Sequence, residues 1–583
     1  MIDNEEIAGI LEEVAVYLEL NGENPFKVRA YENAARAIRS LSESLSDRYN
    51  AQTETLEIKI RGVGSGLEEK IIELLQKKEL PLLEELKAQT PSSLLDILKI
   101  PGLGAKKVFA LNKHLGISTP HELEEMAKKN KIRDLDGFGP KSEENILKGL
   151  ALLDSVQNQY YYQDAADISR DMSSYLTENL PLDKIECAGS LRRKKEVIGD
   201  IDIVLSSRSM EVMDVFTSHP EIKEVLARGN TKSSVILKSG IQVDLRKVKQ
   251  SSFPFALLYF TGSKEHNTRL RKIALEKGFK LNEYGLYDKK DTLIDCQDEA
   301  AIYKHLGLHY IPPELREDSG EFEYFKDNTN ISLVQRKDIK GLIHCHTTMS
   351  DGRVPLQEII QKAIKEGYEY IGISDHSRTA HYAGGLTVPQ LEKQWAELEE
   401  YQQKYSDIRL LKGIESDILP DGNLDYPQDI LEKFDFIIAS VHSHFKMERQ
   451  EMTDRIIKAI RNPYTTILGH PTGRLLLQRP PYAVDMEQVL HACRDSGTWI
   501  EINGQPKRMD LDWREVIKAN DMGIKLVITP DGHSLQMFED IPSAVNVARK
   551  GWTKPGSIMN TMSAGEFKEA CLKLRKQKIL SSK

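Results

Sequence analysis

The chain has 583 residues, 40% of them hydrophobic and 29% charged, which is enough for several domains with sizeable cores. Eighty basic against 89 acidic side chains leave a formal charge of −9, which excludes nucleic-acid binding through a global positive field and leaves local basic patches and backbone amides. Five cysteines without a pairing pattern exclude a disulfide scaffold and fit a reducing cytoplasm, and the acidic start Met1-Ile2-Asp3-Asn4-Glu5-Glu6 reads as helix rather than signal peptide, with no apolar run of membrane-spanning length behind it.

Residues 1–90 read as short helices, with Ile7, Ile10, Leu11, Val14 and Leu18 at helical spacing and a second helix opening at Pro25-Phe26-Lys27-Val28-Arg29-Ala30-Tyr31. A glycine-hydrophobic-glycine turn then recurs: Gly62-Val63-Gly64-Ser65-Gly66, Ile100-Pro101-Gly102-Leu103-Gly104 and Asp136-Gly137-Phe138-Gly139-Pro140. Each leads into a helix carrying lysine, and the free N–H groups of a helix N-terminus bind phosphate without net positive charge. One such turn is as readily a plain helix stop. Three of them point to helix-hairpin-helix contacts with a DNA backbone, through Gly62, Gly64, Gly66, Gly102, Gly104, Gly137 and Gly139. The run Tyr160-Tyr161-Tyr162 is expected in a helix.

The stretch Ala188-Gly189-Ser190-Leu191-Arg192-Arg193-Lys194-Lys195-Glu196-Val197-Ile198-Gly199-Asp200-Ile201-Asp202 joins a tight turn, a basic run and a strand. Side chains two apart on a strand share a face, so Asp200 and Asp202 point together. Like charges so close call for a cation between them, and Asp244 in the alternating stretch Ile241–Arg246 offers a third carboxylate. A lone pair of aspartates is usually surface decoration. With the turn, the basic run and Asp244, the set reads as a two-metal phosphoryl-transfer site, the turn amides and Arg193 holding a triphosphate.

This stretch resembles the nucleotidyltransferase signature of family X DNA polymerases, the polymerase beta group. A second block agrees: Ala256-Leu257-Leu258-Tyr259-Phe260-Thr261-Gly262-Ser263, then Asn267, Arg271, and Asn282-Glu283-Tyr284-Gly285-Leu286. The resemblance covers about residues 1–315. It implies that Asp200, Asp202 and Asp244 bind Mg²⁺ or Mn²⁺, with Asp244 assisting deprotonation of the primer hydroxyl. Gly189, Ser190, Arg193 and Gly199 match triphosphate contacts, Tyr259, Phe260 and Gly262 the segment beside the incoming sugar, and Asn267 and Arg271 the minor groove of the nascent pair. Ile198 departs from the small hydroxyl residue of the animal pattern. A lysine matching Lys70 is, in this family, the Schiff-base nucleophile on abasic sugar ends. The plainer reading is a solvated helix lysine beside Glu68 and Glu69, and Gly66 replaces a basic residue of the pattern.

Beyond the acid-rich stretch after Pro312-Pro313, nine of the 15 histidines fall between 344 and 533. Seven apolar strand-like pieces alternate with helical segments: 341–343, 370–374, 410–414, 434–440, 465–468, 498–502 and 525–529. That alternation argues a parallel β/α barrel with its site at the C-terminal strand ends. Those ends carry His344, His346, Asp351, Asp375-His376, Glu415, His442, His470, Asp531 and His533. Imidazole mixed with carboxylate suits Zn²⁺, Mn²⁺ or iron, and so many donors exceed one ion's shell. His381, His444 and His491 lack this placement.

This half resembles the PHP (polymerase and histidinol phosphatase) domain, whose nine ligand positions are matched by His344, His346, Asp351, His376, Glu415, His442, His470, Asp531 and His533. The resemblance implies a two- or three-ion Zn²⁺ or Mn²⁺ cluster acting as a 3′→5′ exonuclease, with cleavage at abasic sites as a further activity. The fold expected is multi-domain: α-helical helix-hairpin-helix domains over 1–90 and 91–150, an α+β palm over 151–250 with a thumb over 251–315, a linker at 316–337 and a distorted β/α barrel over 338–575. The function expected is short-gap filling on gapped or primer-template DNA with dNTPs, in the cytoplasm at the nucleoid, alongside other DNA repair proteins. Two rivals are a DNA-end scaffold with an inert palm and a small-molecule phosphoesterase that carries DNA-binding modules.

Overall fold

A computed structural model describes residues 2–581, apart from 3, 40, 42, 43, 51, 61, 92, 101, 157 and 328–331. Met1 and Asp3 of the acidic start, and Pro101 of the second turn, therefore lie outside the described residues. The chain divides into two compact units, 1–157 and 158–583. Among the described residues no helix is long and apolar enough to cross a membrane.

The first unit is helical around two cores. Ile7, Leu11, Val14 and Leu18 of the helix Asn4–Leu20 are fully buried against Val28, Tyr31 and Ile38 of Pro25–Arg39 and against Ile71, Leu74, Leu83 and Leu86. Ile10, at the edge of that stripe, is half-buried. The second core gathers Leu94, Ile97, Val108, Leu111, Leu123, Ile132, Ile146 and Leu150, with Leu20 reaching in from the first helix. The helix Pro140–Val156 continues past residue 150.

The second unit opens with a five-stranded sheet: β1 Lys184–Cys187, β2 Asp200–Ser206, β3 Ile222–Arg228, β4 Lys232–Leu237 and β5 Gln242–Val248, in the order β1-β2-β5-β4-β3. β2 and β5 run parallel and the other neighbours antiparallel. Ile201, Ile203, Leu205, Val243 and Leu245 bury one face under the helix Tyr162–Asn179, which leaves the alternate positions of β2 and β5 for polar groups. Tyr160 and Tyr161 are not helical as expected. They form a short strand antiparallel to Val197–Ile198, and the helix starts at Tyr162. Glu196 and Val197 turn the chain back beside them, so pairing of backbones overrides any local helix preference.

Helices Phe253–Thr261 and Lys264–Glu276 and a small three-stranded sheet follow, packed on Leu270, Leu286, Ile302 and Tyr303. The acid-rich stretch expected at 316–337 is folded onto this body in its described part. Arg316 is fully buried in an ion pair with Glu299, Glu321 is buried against His266 at 2.7 Å, and Phe322 and Phe325 join the core. Residues 328–331 of that stretch lie outside the described residues.

The barrel strands are β6 Gly341–Cys345, β7 Tyr370–Ile373, β8 Arg409–Asp417, β9 Phe436–Ser440, β10 Ile467–Leu468, β11 Trp499–Asn503 and β12 Leu526–Thr529. All seven are parallel and adjacent in sequence order, and a bridge from Cys345 to Gly532 brings the last beside the first. Side chains fill the interior: Ile343, Leu411, Phe436, Ile438, Ile467, Trp499 and Val527 pack with Phe567, Cys571 and Leu574 of the helix Ala564–Ser581. A Cβ on Gly372 or Gly413 would stand 2.5 or 2.2 Å from the Phe436 ring, so both positions must be bare for that ring to fit.

Sheet and barrel are tied within this unit. Lys550, fully buried, donates to the Arg193 and Glu314 carbonyls at 3.2 Å and pairs with Glu317 at 2.6 Å. Tyr161 donates to the Leu476 carbonyl at 3.0 Å, and Arg474 lies 3.5 Å from Glu196.

Candidate metal centres

In the helical unit the three glycine turns share a geometry. Gly62, Gly102 and Gly137 have φ of +83°, +87° and +80°, a region costly for other residues. Gly64 and Gly104 cap the helices Ser65–Lys77 and Ala105–Leu115 with ordinary φ of −88° each and no side-chain cap. A Cβ on Gly64, Gly66, Gly104 or Gly139 would meet nothing within 4 Å. Internal packing therefore makes no demand for glycine there, and the bare backbone leaves N–H groups open to an outside anion. Glu143 closes the loop before the third turn by accepting the N–H groups of Ile132 and Arg133 at 2.9 and 3.0 Å. Lys70 is half-buried and pairs with Glu73 at 3.0 Å, one turn onward, rather than with Glu68 or Glu69.

In the sheet, Asp202 on β2 is the direct cross-strand partner of Asp244 on β5, and Asp200 stands two residues before it on the same face. Asp200 is exposed at the rim and Asp244 is buried at the floor. Burial, reinforced by the charges of Asp200 and Asp244, pushes Asp202 up to about 7. Burial and Asp244 raise Asp200 as well. Asp244 moves the other way: despite burial, Lys232 at 2.9 Å and Gln242 at 2.9 Å hold it below the usual carboxylate range. The set is a carboxylate surplus that a cation would relieve, and Lys232 meets part of that demand.

Gly189, at φ +63°, begins the turn Gly189–Arg192, and a Cβ on it would lie 2.5 Å from Asp202 Oδ2. Ser190 is half-buried beside it and Gly199 is exposed just before β2. Arg193 is buried: it donates to the Thr261 carbonyl at 2.5 Å and to Glu317 at 3.2 Å. It lies against Gly262, where a Cβ would stand 3.0 Å from its Nη1. Ile198, the departure from the animal pattern, is fully buried. Tyr259, Asn267 and Arg271 line one cavity with Asn282, and Asn267 donates to the Tyr259 carbonyl at 2.7 Å. Phe260 carries the Arg246 guanidinium over its ring at 4.1 Å.

In the barrel, ligand-competent atoms from successive strand ends converge. Among the described residues, three groups have donor atoms within 4.8 Å of one another: His346, Asp351, His376 and His533; His344, His346 and Asp531; and His376, Glu415 and His442. His346 and His376 belong to two groups each. His470 stands outside these groups but lies 2.9 Å from Glu415. His344, His470 and Asp531 adopt φ of +70°, +23° and +49°, strain of the kind found where side chains must be aimed.

The donor set fits divalent cations. His344 Nε2, both ring nitrogens of His346, His376 Nδ1, His470 Nδ1 and Glu415 Oε2 are buried without a hydrogen-bond partner, a cost that only an ion or solvent would relieve. In the free protein the charges sort themselves. Against the effect of burial, Glu415 and Asp351 raise His376 to about 10, whereas burial and the neighbouring His533 and His376 lower His346 to about 3.

Several residues behind the candidate ligands were missed in the sequence. Glu501 on β11 is fully buried, 2.5 Å from His344 Nδ1, and accepts from Thr529 at 2.6 Å. Asp417 lies 2.7 Å from His442 Nδ1, Asn503 donates to Asp531 at 3.1 Å and Arg508 stands 3.0 Å from the same carboxylate. Glu501 and Asn503 sit two apart among Trp499, Ile500 and Ile502, so polar residues recurring with period two inside an apolar strand were the available signal. Asp375 is held by Thr347, Ser350 and Gln394 as a loop anchor.

Comparison with known proteins returns the same two halves. A helix-hairpin-helix domain model matches residues 2–80, a SAM-like helix-hairpin-helix tandem 94–151, the DNA polymerase beta thumb 256–317 and the PHP domain 343–505. The DNA polymerase/3′-5′ exonuclease PolX of Bacillus subtilis is 38% identical over 97% of this chain and 99% of its own length. A protein named "Probable phosphatase" from Thermoanaerobacter is 31% identical over 41% of this chain and 98% of its own. Human DNA-directed DNA/RNA polymerase mu is 46% identical over 78 residues, 13% of this chain and 16% of its own.

Proposed function

The chain belongs to the PolX family of DNA polymerase/3′-5′ exonucleases, and from that premise we propose that it fills short gaps in DNA at the sheet and trims 3′ ends at the barrel. The observation that carries this reading is the pair of separate donor sets: three carboxylates on β2 and β5, and an imidazole-rich cluster at the barrel's strand ends. Asp200, Asp202 and Asp244 would hold Mg²⁺ or Mn²⁺, and the barrel set would hold two or three ions of Zn²⁺ or Mn²⁺. When bound, the ions supply Lewis acidity to phosphate oxygens and acidify water.

The remaining steps belong to the chain. Gly189 and Ser190 present turn amides to the nucleotide's phosphates, Gly199 opens the approach, and Asp244 takes the proton of the primer hydroxyl. Arg193 acts through position: with Thr261 and Glu317 it fixes the turn at Gly262. Tyr259, Phe260, Asn267 and Arg271 form the wall along the new pair. The glycine turns at Gly62–Gly64, Gly102–Gly104 and Gly137–Gly139 hold the duplex by its phosphates, independent of sequence. Lys70, which pairs with Glu73, is the candidate for a weak lyase activity on abasic ends.

Primer extension and end digestion on two variants test the proposal. Asp200→Ala should abolish extension and leave digestion; His344→Ala should do the reverse. Loss of both activities from either substitution would refute two separate centres. A second reading, a small-molecule phosphoesterase, draws on the likeness to a protein named as a probable phosphatase, and faster hydrolysis of a phosphomonoester than of DNA ends would favour it.

A further inference from the structure

Tyr382 is the large aromatic that the barrel site leaves in solvent. It is 69% exposed, at the centre of the short turn His381–Ala383. Its ring centroid lies 6.0 Å from that of His376 and 6.2 Å from that of His442, both members of the groups described above. Among the described residues, none accepts a hydrogen bond from its hydroxyl.

The turn is not loose. The Leu386 N–H donates to the His376 carbonyl at 2.9 Å, closing a loop that starts at a ligand and carries Tyr382 at its tip. Ser377 bridges to Leu386, and the Tyr426 hydroxyl donates to the Leu386 carbonyl at 2.5 Å. A backbone so fastened, with an aromatic held outside the core, gains nothing for stability from that ring. An exposed aromatic face beside a phosphodiester site suits a nucleobase, and a hydroxyl donor on that ring, next to His376 and His442, suits a phosphate oxygen.

We propose that Tyr382 contacts the substrate at the barrel, its hydroxyl donating a hydrogen bond to the scissile phosphodiester and its ring forming one wall for the terminal base. This rests on the exonuclease reading above. In the reaction, a water oxygen bonds to phosphorus, the bond from phosphorus to the 3′ oxygen of the penultimate sugar breaks, and that oxygen leaves with a proton. Tyr382 keeps its own proton throughout and steadies the charge gained by the phosphate.

Steady-state digestion of a labelled single-stranded oligonucleotide by the full chain with Mn²⁺ tests this. Tyr382→Phe should lower kcat by about tenfold with KM within about twofold, the effect of one hydrogen bond to a charged group. Tyr382→Ala should lose the wall as well and raise KM by about tenfold. Bound manganese, melting temperature and primer extension should stay at wild-type values in both. A Tyr382→Phe protein with wild-type kcat overturns the proposal while leaving the exonuclease reading intact. A wild-type protein that leaves the oligonucleotide whole overturns both.

Discussion

His344 and Glu501 stand 2.5 Å apart, Nδ1 to Oε1, both fully buried. A carboxylate accepts only, so it fixes the proton on Nδ1 and leaves Nε2 bare and turned toward Glu415 and Asp531 at 3.3 and 3.5 Å. Glu501 thus decides which nitrogen of His344 is left free to bind an ion. Glu501→Gln should weaken metal binding at the barrel by about tenfold or more, as losses of such partners do. Titrating Mn²⁺ against end digestion checks this; primer extension should stay unchanged, and an unaltered metal midpoint would remove Glu501 from this role.

Asp202 carries a pH prediction. Its pKa of about 7 in the metal-free fold lies above that of the unfolded chain. Between about pH 4 and pH 7 the fold therefore holds a proton that the unfolded chain has lost, so this group's contribution to stability declines as pH rises through that window. Metal must displace the same proton. The metal concentration for half-maximal extension should rise by about tenfold per pH unit below 7 and level off above it. A midpoint independent of pH between 5.5 and 8 (the range over which extension is to be assayed, about one and a half units below the pKa and one above) would contradict the shift.

Gly189 lies so close to Asp202 that a methyl group there would meet its carboxylate at 2.5 Å. Gly189→Ala also forces alanine into φ +63°. Both effects act on the extension site. We expect extension to fall by about a hundredfold or more, the scale of effects seen when reacting groups are displaced by an ångström, with digestion at the barrel retained. Equal loss of both activities would indicate general unfolding instead.

The glycines of each hairpin turn separate by substitution. Gly104→Ala places its Cβ in open space at ordinary φ, so the melting temperature should hold while duplex binding weakens. Gly102→Ala should cost about 1–2 kcal/mol of stability for a left-handed alanine. If Gly104→Ala binds duplex DNA like the wild type, close approach of a phosphate at that turn is ruled out.

Much of this protein was legible along the chain. All seven barrel strands were marked by apolar pieces bounded by turns, because a strand buried on both faces needs an unbroken apolar run. Asp200, Asp202 and the glycine turns declared themselves through fixed local spacing. The candidate ligand histidines stood out because each stands at or shortly after the end of an apolar strand. The tyrosine run looks helical in its local sequence, but its strand partner at Val197–Ile198 is 36 to 38 residues away and pairing cannot be seen locally. The acid-rich stretch was read as a linker because its acids have partners far off in sequence, such as Glu317 with Arg193 and Lys550.

The sequence alone determined which chemistry is present: carboxylates at period two on a strand, imidazoles at strand ends, and glycines where backbone must stay bare. Those are local facts, set by side-chain direction and by the lack of a Cβ. Only the tertiary structure decided which atoms face one another. It set Asp202 against Asp244, Lys232 against Asp244, Glu501 behind His344 and Tyr382 beside His376 and His442. Such pairings depend on strand register and on which buried charges find partners, and these are settled when distant segments pack together.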